Sequence, residues 1–423
     1  MSHPRTLEEV VSGGLCTGCG ICASLAGSGR ITMELSPRGD ARPRFRDRLG
    51  AAEQRRLVAI CPGVSAVSPQ REPEAGTVLD PVWGPIRGLR RGWAADPAIR
   101  HHAAAGGALT ALSVFLLETG RVDAILHVRA STSRPMLTDA HVSRTREEVL
   151  TGAQSRYGPA SPLVHVRQLL DAGERFAVVG KPCDIAAIHN LRARDGRVAG
   201  QIPYLLTLFC GGAPNVGTAE QIAAAHGVSP DEVGVFRFRG EGWPGTTHIE
   251  STDGAVFDVS YDRSWLDKTQ PWRYDVQWRC KICPDAIGET ADLSCPDGWR
   301  LDDAGRPLHE EAPGVNAIVE RTARGSELIA AAVAAGYLVT EPLDRREFEA
   351  MHHDHRTRRL GEPARLAALA VTGRARPRIV GYRLLHAAGQ AGPRLLLSQF
   401  RGTLRRIRRG QASEPLLTGG ADQ

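Results

Sequence analysis

The sequence predicts an α/β fold, α+β in part: a mixed-sheet core with a cysteine-rich module ahead of it and a basic helical tail behind. Three observations predict it. Between residues 107 and 340, short apolar runs alternate with stretches of helical apolar spacing. Inside that span VFRFR, THIES and AVFDVS follow one another without a helix, which marks an antiparallel section. The nine cysteines fall in two groups, four within residues 16–61 and five within 183–295.

Taken in order, the chain opens on GGLCTGCGICASLAGSGR, which sets Cys16, Cys19 and Cys22 at C-x-x-C-x-x-C spacing. Three closely spaced thiolates plus a remote cysteine followed by proline form the pattern of a cubane iron–sulfur site, and Cys61-Pro62 supplies the remote partner. A two-cluster ferredoxin would place a further cysteine at position 26, where Ala26 stands. A structural zinc knot is the alternative, although zinc normally draws on two cysteine pairs. Residues 64–100, rich in Pro, Gly and charge, read as a linker. GALTALSVFLLETG (107–120) reads as a helix closed by Gly120, VDAILHV as a buried strand, and SPLVHVRQLLDAG as a helix. RFAVVG (175–180) and IPYLLTLFC, ending at Cys210, are strands; Asp184 can cap the helix IAAIHNLR, and TAEQIAAAHG is another helix. Asp253-Gly254 is a hairpin turn. NAIVERT and GSELIAAAVAAGYLV close the pattern as strand then helix.

At 423 residues the chain has length for two or three domains. The expected divisions are 1–75, 85–165, 166–345 and 346–423. No run of about 18 apolar residues suggests a membrane span. MSHPRTLEEVVSGG lacks the basic and apolar regions of a secretory signal. The cytoplasm is therefore the expected compartment, where cysteines serve as ligands or reactive thiols rather than disulfides. The net charge of +6 is uneven: residues 356–410 hold 14 arginines, no lysine and one acid, so the remainder of the chain carries −7. Gly180-Lys181 precedes Pro182 where a Walker loop needs Ser or Thr, and no G-x-G-x-x-G follows a strand. His352, His353, Asp354 and His355 could ligate a metal, but set among arginines and without the spacing of a site they read rather as a solvated linker. The tail ending in SQFRGTLRRIRRG reads as a basic amphipathic helix suited to an acidic protein partner or an anionic membrane surface. No recognition fold accompanies it, so nucleic acid is not an expected ligand.

RCKICPDAIGETADLSCPDGW (279–299) contains Cys280, Cys283 and Cys295. If the strands before Cys183 and Cys210 are parallel neighbours, their carboxyl ends bring both thiols to one sheet edge, where the Cys280/Cys283 pair can close a second four-thiolate site. Equally, Cys183 and Cys210 can be small buried hydrophobes. Cys295 is left over on the first reading, as a buried spare or a substitute ligand. Asp285, Glu289 and Asp292 read as flavin-edge groups, supports of the site, or surface carboxylates on a helix, and Trp243, Trp265, Trp272, Trp278 and Trp299 chiefly as core.

GKPCDIAAIHNL, LFCGGAPN, FRFRGEGWPG and CKICPDAIGETADLS together resemble the coenzyme F-420 (deazaflavin) hydrogenase/dehydrogenase beta-subunit family. That family includes the 7-hydroxymethyl chlorophyll a reductase and the ferredoxin-dependent divinyl chlorophyllide reductase. The likeness covers about residues 10 to 340. It implies a flavin-binding core holding FAD, and two 4Fe-4S clusters. By position, Cys16, Cys19, Cys22 and Cys61 would hold the first cluster, in a ferredoxin-like module, and Cys183, Cys210, Cys280 and Cys283 the second. The family's Ser-Gly-Gly flavin segment stands here as Ala105-Gly106-Gly107, without the hydroxyl, and Thr110 lies one turn on. SRYGPASP matches a second flavin-contacting stretch, whose Ser155, Arg156 and Tyr157 offer a hydroxyl, a cation for phosphate and a stacking ring; Lys181 would face the flavin or the cluster. The implied activity is an iron–sulfur flavoprotein oxidoreductase passing electrons to or from an organic acceptor, or a non-catalytic electron-transfer subunit. Implied partners are a ferredoxin-like donor or a partner redox subunit and a small organic acceptor, with self-association left open.

Overall fold

A computed structural model of the protein describes residues 3–27, 29–68 and 74–417. Its centre is an eight-stranded mixed sheet. From one edge to the other the strands are Leu338–Pro342, Gly88–Ala94, Asn316–Glu320, Leu293–Ser294, Leu205–Thr207, Phe176–Gly180, Ala124–Ala130 and Thr138–Ser143. The four strands from Leu293–Ser294 to Ala124–Ala130 run parallel and both flanks are antiparallel. Parallel strands are buried on both faces. That explains the unbroken apolar runs AILHV and FAVVG, and the helices Ala108–Glu118, Pro182–Arg192 and Ala323–Ala334 that pack around them. A three-stranded antiparallel sheet, Val233–Arg237, Thr247–Ser251 and Val256–Val259, carries its own small core.

The expected linker is a strand-bearing segment. Residues 69–73 of it lie outside the described residues, but Gly88–Ala94 is the sheet's second strand, paired on both sides. Its glycines and arginines hid it. A side chain at Gly92 would meet Ile318 Cδ1 at 2.5 Å, and one at Gly88 would meet the Glu320 carboxylate at about 2.9 Å, so packing demands glycine in a strand interior. The expected strand ending at Cys210 is shorter, Leu205–Thr207, and the chain leaves the sheet three residues before the cysteine.

The tail folds back over the body. Arg378–Val380 pairs in parallel with Ser65–Val67, and the long helix His353–Val371 carries the helix Pro393–Arg408 on its side. Leu369, Ile407 and Ala412 share one apolar cluster with Leu15, Cys16, Cys61 and Trp278. Farther on, Glu414 accepts two hydrogen bonds from the fully buried Arg42, at 2.5 and 2.7 Å.

Candidate functional site

The thiols of Cys16, Cys19, Cys22 and Cys61 lie near enough to act on one another electrostatically. Glycines with φ near +75° and +83° at Gly18 and Gly20 turn the backbone between the cysteines, a conformation that favours glycine. Cys61 caps the C-terminus of the helix Ala51–Ile60. Burial comes first in pushing these thiols up; the thiols at Cys19 and Cys61 then raise the Cys22 thiol together with Cys16, and Cys61 reaches about 12. The Gly18 N–H donates to Cys16 Sγ at 3.4 Å.

The second group rests on the predicted sheet edge. Phe176–Gly180 and Leu205–Thr207 are parallel neighbours with Gly180 opposite Thr207, so Cys183 and Cys210 each stand three residues past one register pair. Cys183 lies in the first turn of the helix Pro182–Arg192, and Cys280 lies within the short helical turn Trp278–Lys281. Burial raises the Cys183 thiol, with Cys210 and Cys280 adding to it. Burial also raises Cys210, to about 12, with Cys280 and Cys283 adding. The Ala213 N–H donates to Cys280 Sγ at 3.4 Å. Cys295 differs: burial alone raises it to about 12, and no other thiol acts on it.

Among the described residues, no three His, Cys, Asp or Glu side chains converge tightly enough for a single metal ion. The thiols within each group do act on one another. Their donor chemistry fits a multi-iron cluster: buried thiolates that repel one another need cationic charge among them, and N–H groups aimed at sulfur stabilise the ligated form.

Arg279 stands between the two groups. It is 4 % exposed and donates from Nη1 to the Ile282 carbonyl (3.3 Å) and from Nη2 to the Pro62 carbonyl (3.1 Å), one acceptor beside each cysteine segment. Its charge holds both the Cys61 and the Cys283 thiols down against burial.

A cavity of about 900 Å³ opens beside the second group, and Cys210 forms part of its wall. Gly107, Thr110, Ser155, Arg156, Tyr157 and Lys181 line it too, so most of the residues expected at a flavin do share one space. Gly107 has φ +73° at the head of the helix Ala108–Glu118. Gly106 is not on the wall; a side chain there would meet the Asn316 nitrogen and the Gly92 carbonyl at 2.7 Å, so it serves close strand packing. Arg156 faces the cavity with most of its donors spent on the carbonyls of Phe236, Pro135 and Leu137, at 2.6–2.7 Å, which leaves little of it for a phosphate. The Lys181 ammonium donates to Asp184 at 2.8 Å. Burial works against its charge, but Asp184 and the thiols of Cys183 and Cys210 keep its pKa above the usual lysine range.

Two residues that brace the wall, Arg239 and Asn316, carried no sequence signal. Arg239, 3 % exposed, donates to Asp297 (2.8 Å), Tyr157 Oη (3.3 Å) and the Ala104 carbonyl (2.8 Å), tying three stretches of the wall together. The Asn316 side chain accepts from the Ala108 N–H and donates to the Cys295 and Pro296 carbonyls. His352 and His355 overturn the solvated-linker expectation: they lie at the start of the helix His353–Val371, packed on Phe209 and facing the cavity. Asp285, Glu289 and Asp292 are not surface carboxylates on a helix. All three are buried in a looped segment. Asp285 accepts from the Gly288 and Glu289 N–H groups, Glu289 pairs with Arg359, and Asp292 accepts from the Leu205 N–H. Of the five crowded tryptophans only Trp299 reaches the cavity.

Two family models match the chain: "Coenzyme F420 hydrogenase/dehydrogenase, beta subunit N-term" over residues 90–167 and the corresponding "C terminus" over residues 173–346. The chain is 25 % identical over 313 residues to a coenzyme F420-dependent sulfite reductase of Methanocaldococcus jannaschii, covering 69 % of this chain and 44 % of that protein. It is 27 % identical over 251 residues to the F420-dependent formate dehydrogenase 1 subunit beta of Methanococcus maripaludis, covering 59 % and 60 %. With the coenzyme F420 hydrogenase subunit beta of Methanosarcina barkeri it shares 25 % over 261 residues, 59 % of this chain and 79 % of that one. It thus spans 44–60 % of the length of the first two relatives. A chain in the solved F420-reducing NiFe hydrogenase complex from Methanosarcina barkeri has the same fold, with a TM-score of 0.53 at 22 % identity, over 71 % of this chain and 98 % of that one.

Proposed function

The chain belongs to the coenzyme F420 hydrogenase/dehydrogenase beta-subunit family, and from that premise we propose that it is a cytoplasmic FAD- and iron–sulfur-dependent oxidoreductase. It would exchange electrons with an organic acceptor, a deazaflavin coenzyme or a chlorophyllide-like molecule. Cys16, Cys19, Cys22 and Cys61 would hold one 4Fe-4S cluster, and Cys183, Cys210, Cys280 and Cys283 the other. Clusters carry single electrons and a flavin converts them to pairs, which is the reason to house both in one chain. One observation carries the reading: Cys210 belongs at once to the second thiol group and to the wall shared with Thr110, Ser155, Tyr157 and Lys181. The chain's own work would be positional. Arg239 and Asn316 fix the wall, Lys181 places a cation beside the thiols, and Phe209 and Trp299 keep water from the inner face.

Anaerobic purification tests this. Iron near about eight atoms per chain with bound FAD supports it; zinc without iron or flavin sinks it. A second reading, an electron-transfer subunit working for a separate catalytic protein, is favoured by the relatives named as subunits. Reduction of a deazaflavin or a chlorophyllide by the isolated chain with dithionite would separate enzyme from carrier. A ferredoxin-like donor or partner redox subunit would supply electrons. The outward arginines of the helix Pro393–Arg408 are suited to an acidic protein surface or to peripheral contact with an anionic membrane.

A further inference from the structure

His352 and His355 come from a stretch that neither family model covers, since the second model ends at residue 346. Both nonetheless line the cavity. Their rings flank Phe209, with centroids 4.9 and 5.1 Å from it and 6.1 Å from each other. Phe209 immediately precedes Cys210. His352 is 5 % exposed, and in both rings Nε2 is enclosed without a hydrogen-bond partner. Trp83 and Phe348 hold the His352 ring from behind, with centroids 6.4 and 4.9 Å away. Burial depresses both imidazoles, His355 to about 4, so at neutral pH each is uncharged and can offer an Nε2–H or its lone pair. Enclosed polar atoms without partners are rare in folded proteins, and two on one wall mark a place where a ligand completes them.

Taking the proposed cofactors as given, we infer that His352 and His355 contact the flavin ring, so that the C-terminal segment completes the FAD site. Single-electron exchange requires the redox-active ring, and not the adenine end, to lie by the proposed cluster ligand Cys210, and both imidazoles pack on Phe209, the residue before it. The ring's carbonyls and ring nitrogens are hydrogen-bonding groups of the kind that Nε2 atoms satisfy. Contacts there also set how readily the flavin takes electrons.

The test compares intact wild-type protein with H352L, H355L, H352Q and H355Q, all purified anaerobically. FAD binding to flavin-stripped protein is followed by flavin fluorescence, the flavin midpoint potential by dye-calibrated photoreduction, and iron per chain as the control for folding. The Leu variants together should weaken FAD by about ten-fold and shift the flavin potential, as loss of two neutral hydrogen bonds implies. The Gln variants, which keep a side-chain donor and acceptor, should recover most of it, with iron unchanged. FAD affinity and potential within about two-fold and unshifted in both Leu variants would overturn the inference. H355L alone decides the matter if the more deeply packed H352L misfolds. Wild-type protein that takes up no FAD would instead overturn the flavin reading itself.

Discussion

Replacing Arg359 by Met should be among the costliest single changes in the protein. Its guanidinium is 5 % exposed and donates from Nε to the Pro81 carbonyl (3.2 Å), from Nη1 to the Pro284 carbonyl (2.6 Å), and from Nη2 to Glu289 and the Tyr382 carbonyl. Glu289 is wholly buried. Burial pushes its carboxyl up, and Arg359 is the leading charge holding it down. Removing one partner of such a pair costs about 3–5 kcal/mol, because the other charge stays buried. Three carbonyls lose a donor as well, which adds to the cost. Against that, Ser68 Oγ at 2.9 Å and Arg383 at 3.4 Å still reach Glu289 Oε2. The balance is a loss of about 4 kcal/mol for R359M. In R359M/E289Q no buried charge is stranded, so the double variant should recover about 2 kcal/mol of it. Pro284 follows Cys283, so R359M should also lose the iron assigned to the second thiol group while E289Q keeps it. Urea unfolding followed by tryptophan fluorescence, together with iron per chain, measures both effects. Equal destabilisation of R359M and the double variant, or R359M within about 1 kcal/mol of wild type, would refute the ion-pair account.

Three further outcomes follow from the same geometry. R279Q removes a buried cation between the two thiol groups, so the potentials of both proposed clusters should move to more negative values in EPR-monitored titration; unchanged potentials would show that the charge is screened. Burial raises the Asp40 carboxyl from 3.8 to about 6 against the opposing charge of Arg42. Between those values the folded chain keeps a proton that the unfolded chain has lost, so Asp40 removes stability as pH rises through the window. D40N should therefore gain at most about 3 kcal/mol at pH 7 and nothing below pH about 4, read as the difference in urea stability from wild type. C295A should leave iron unchanged, because no other thiol acts on Cys295; loss of about half the iron would show that it is a ligand.

How much of this was legible in the sequence depends on whether the signal was local. Period and turn chemistry mark strands at RFAVVG and IPYLLTLFC, and the condition that brings Cys183 and Cys210 to one edge, parallel pairing of the two, is met by Phe176–Gly180 and the shorter Leu205–Thr207. The C-x-x-C-x-x-C run is likewise local, because the chain itself brings three thiols together. Gly88–Ala94 escaped because its glycines answer to Ile318 and Glu320, more than 220 residues away, and no window around residue 90 contains that reason. The carboxylates Asp285, Glu289 and Asp292 looked solvated because the arginine, tyrosine and threonine that bury them lie elsewhere in the chain. For Arg156 the charge is visible in the sequence, but the three distant carbonyls that take up its donors are not.

The tail shows the same difficulty in terms of charge. Composition counts 14 arginines between residues 356 and 410 without saying which way they point. The structure divides them. Arg358 donates to the Gly211 carbonyl beside the second thiol group, Arg359 neutralises Glu289, and Arg365 pairs with Glu362. Glu362, the segment's one acid, is itself wholly buried, so the arginines on the tail's outer surface face no acid of their own segment. Arg394, Arg401, Arg405, Arg408 and Arg409 are exposed on or just past the helix Pro393–Arg408, with the half-exposed Leu397 among them. A detachable docking arm would leave the body's charges balanced on departure. This segment would not, since the helix His353–Val371 holds the counter-ion of Glu289 in the buried 285–292 loop, and the imidazoles of His352 and His355 at its start line the cavity wall. Any partner that reads the outer arginines would therefore dock on an element packed against the helix that lines the cavity, so that partner contact and cavity wall would share one helix pair.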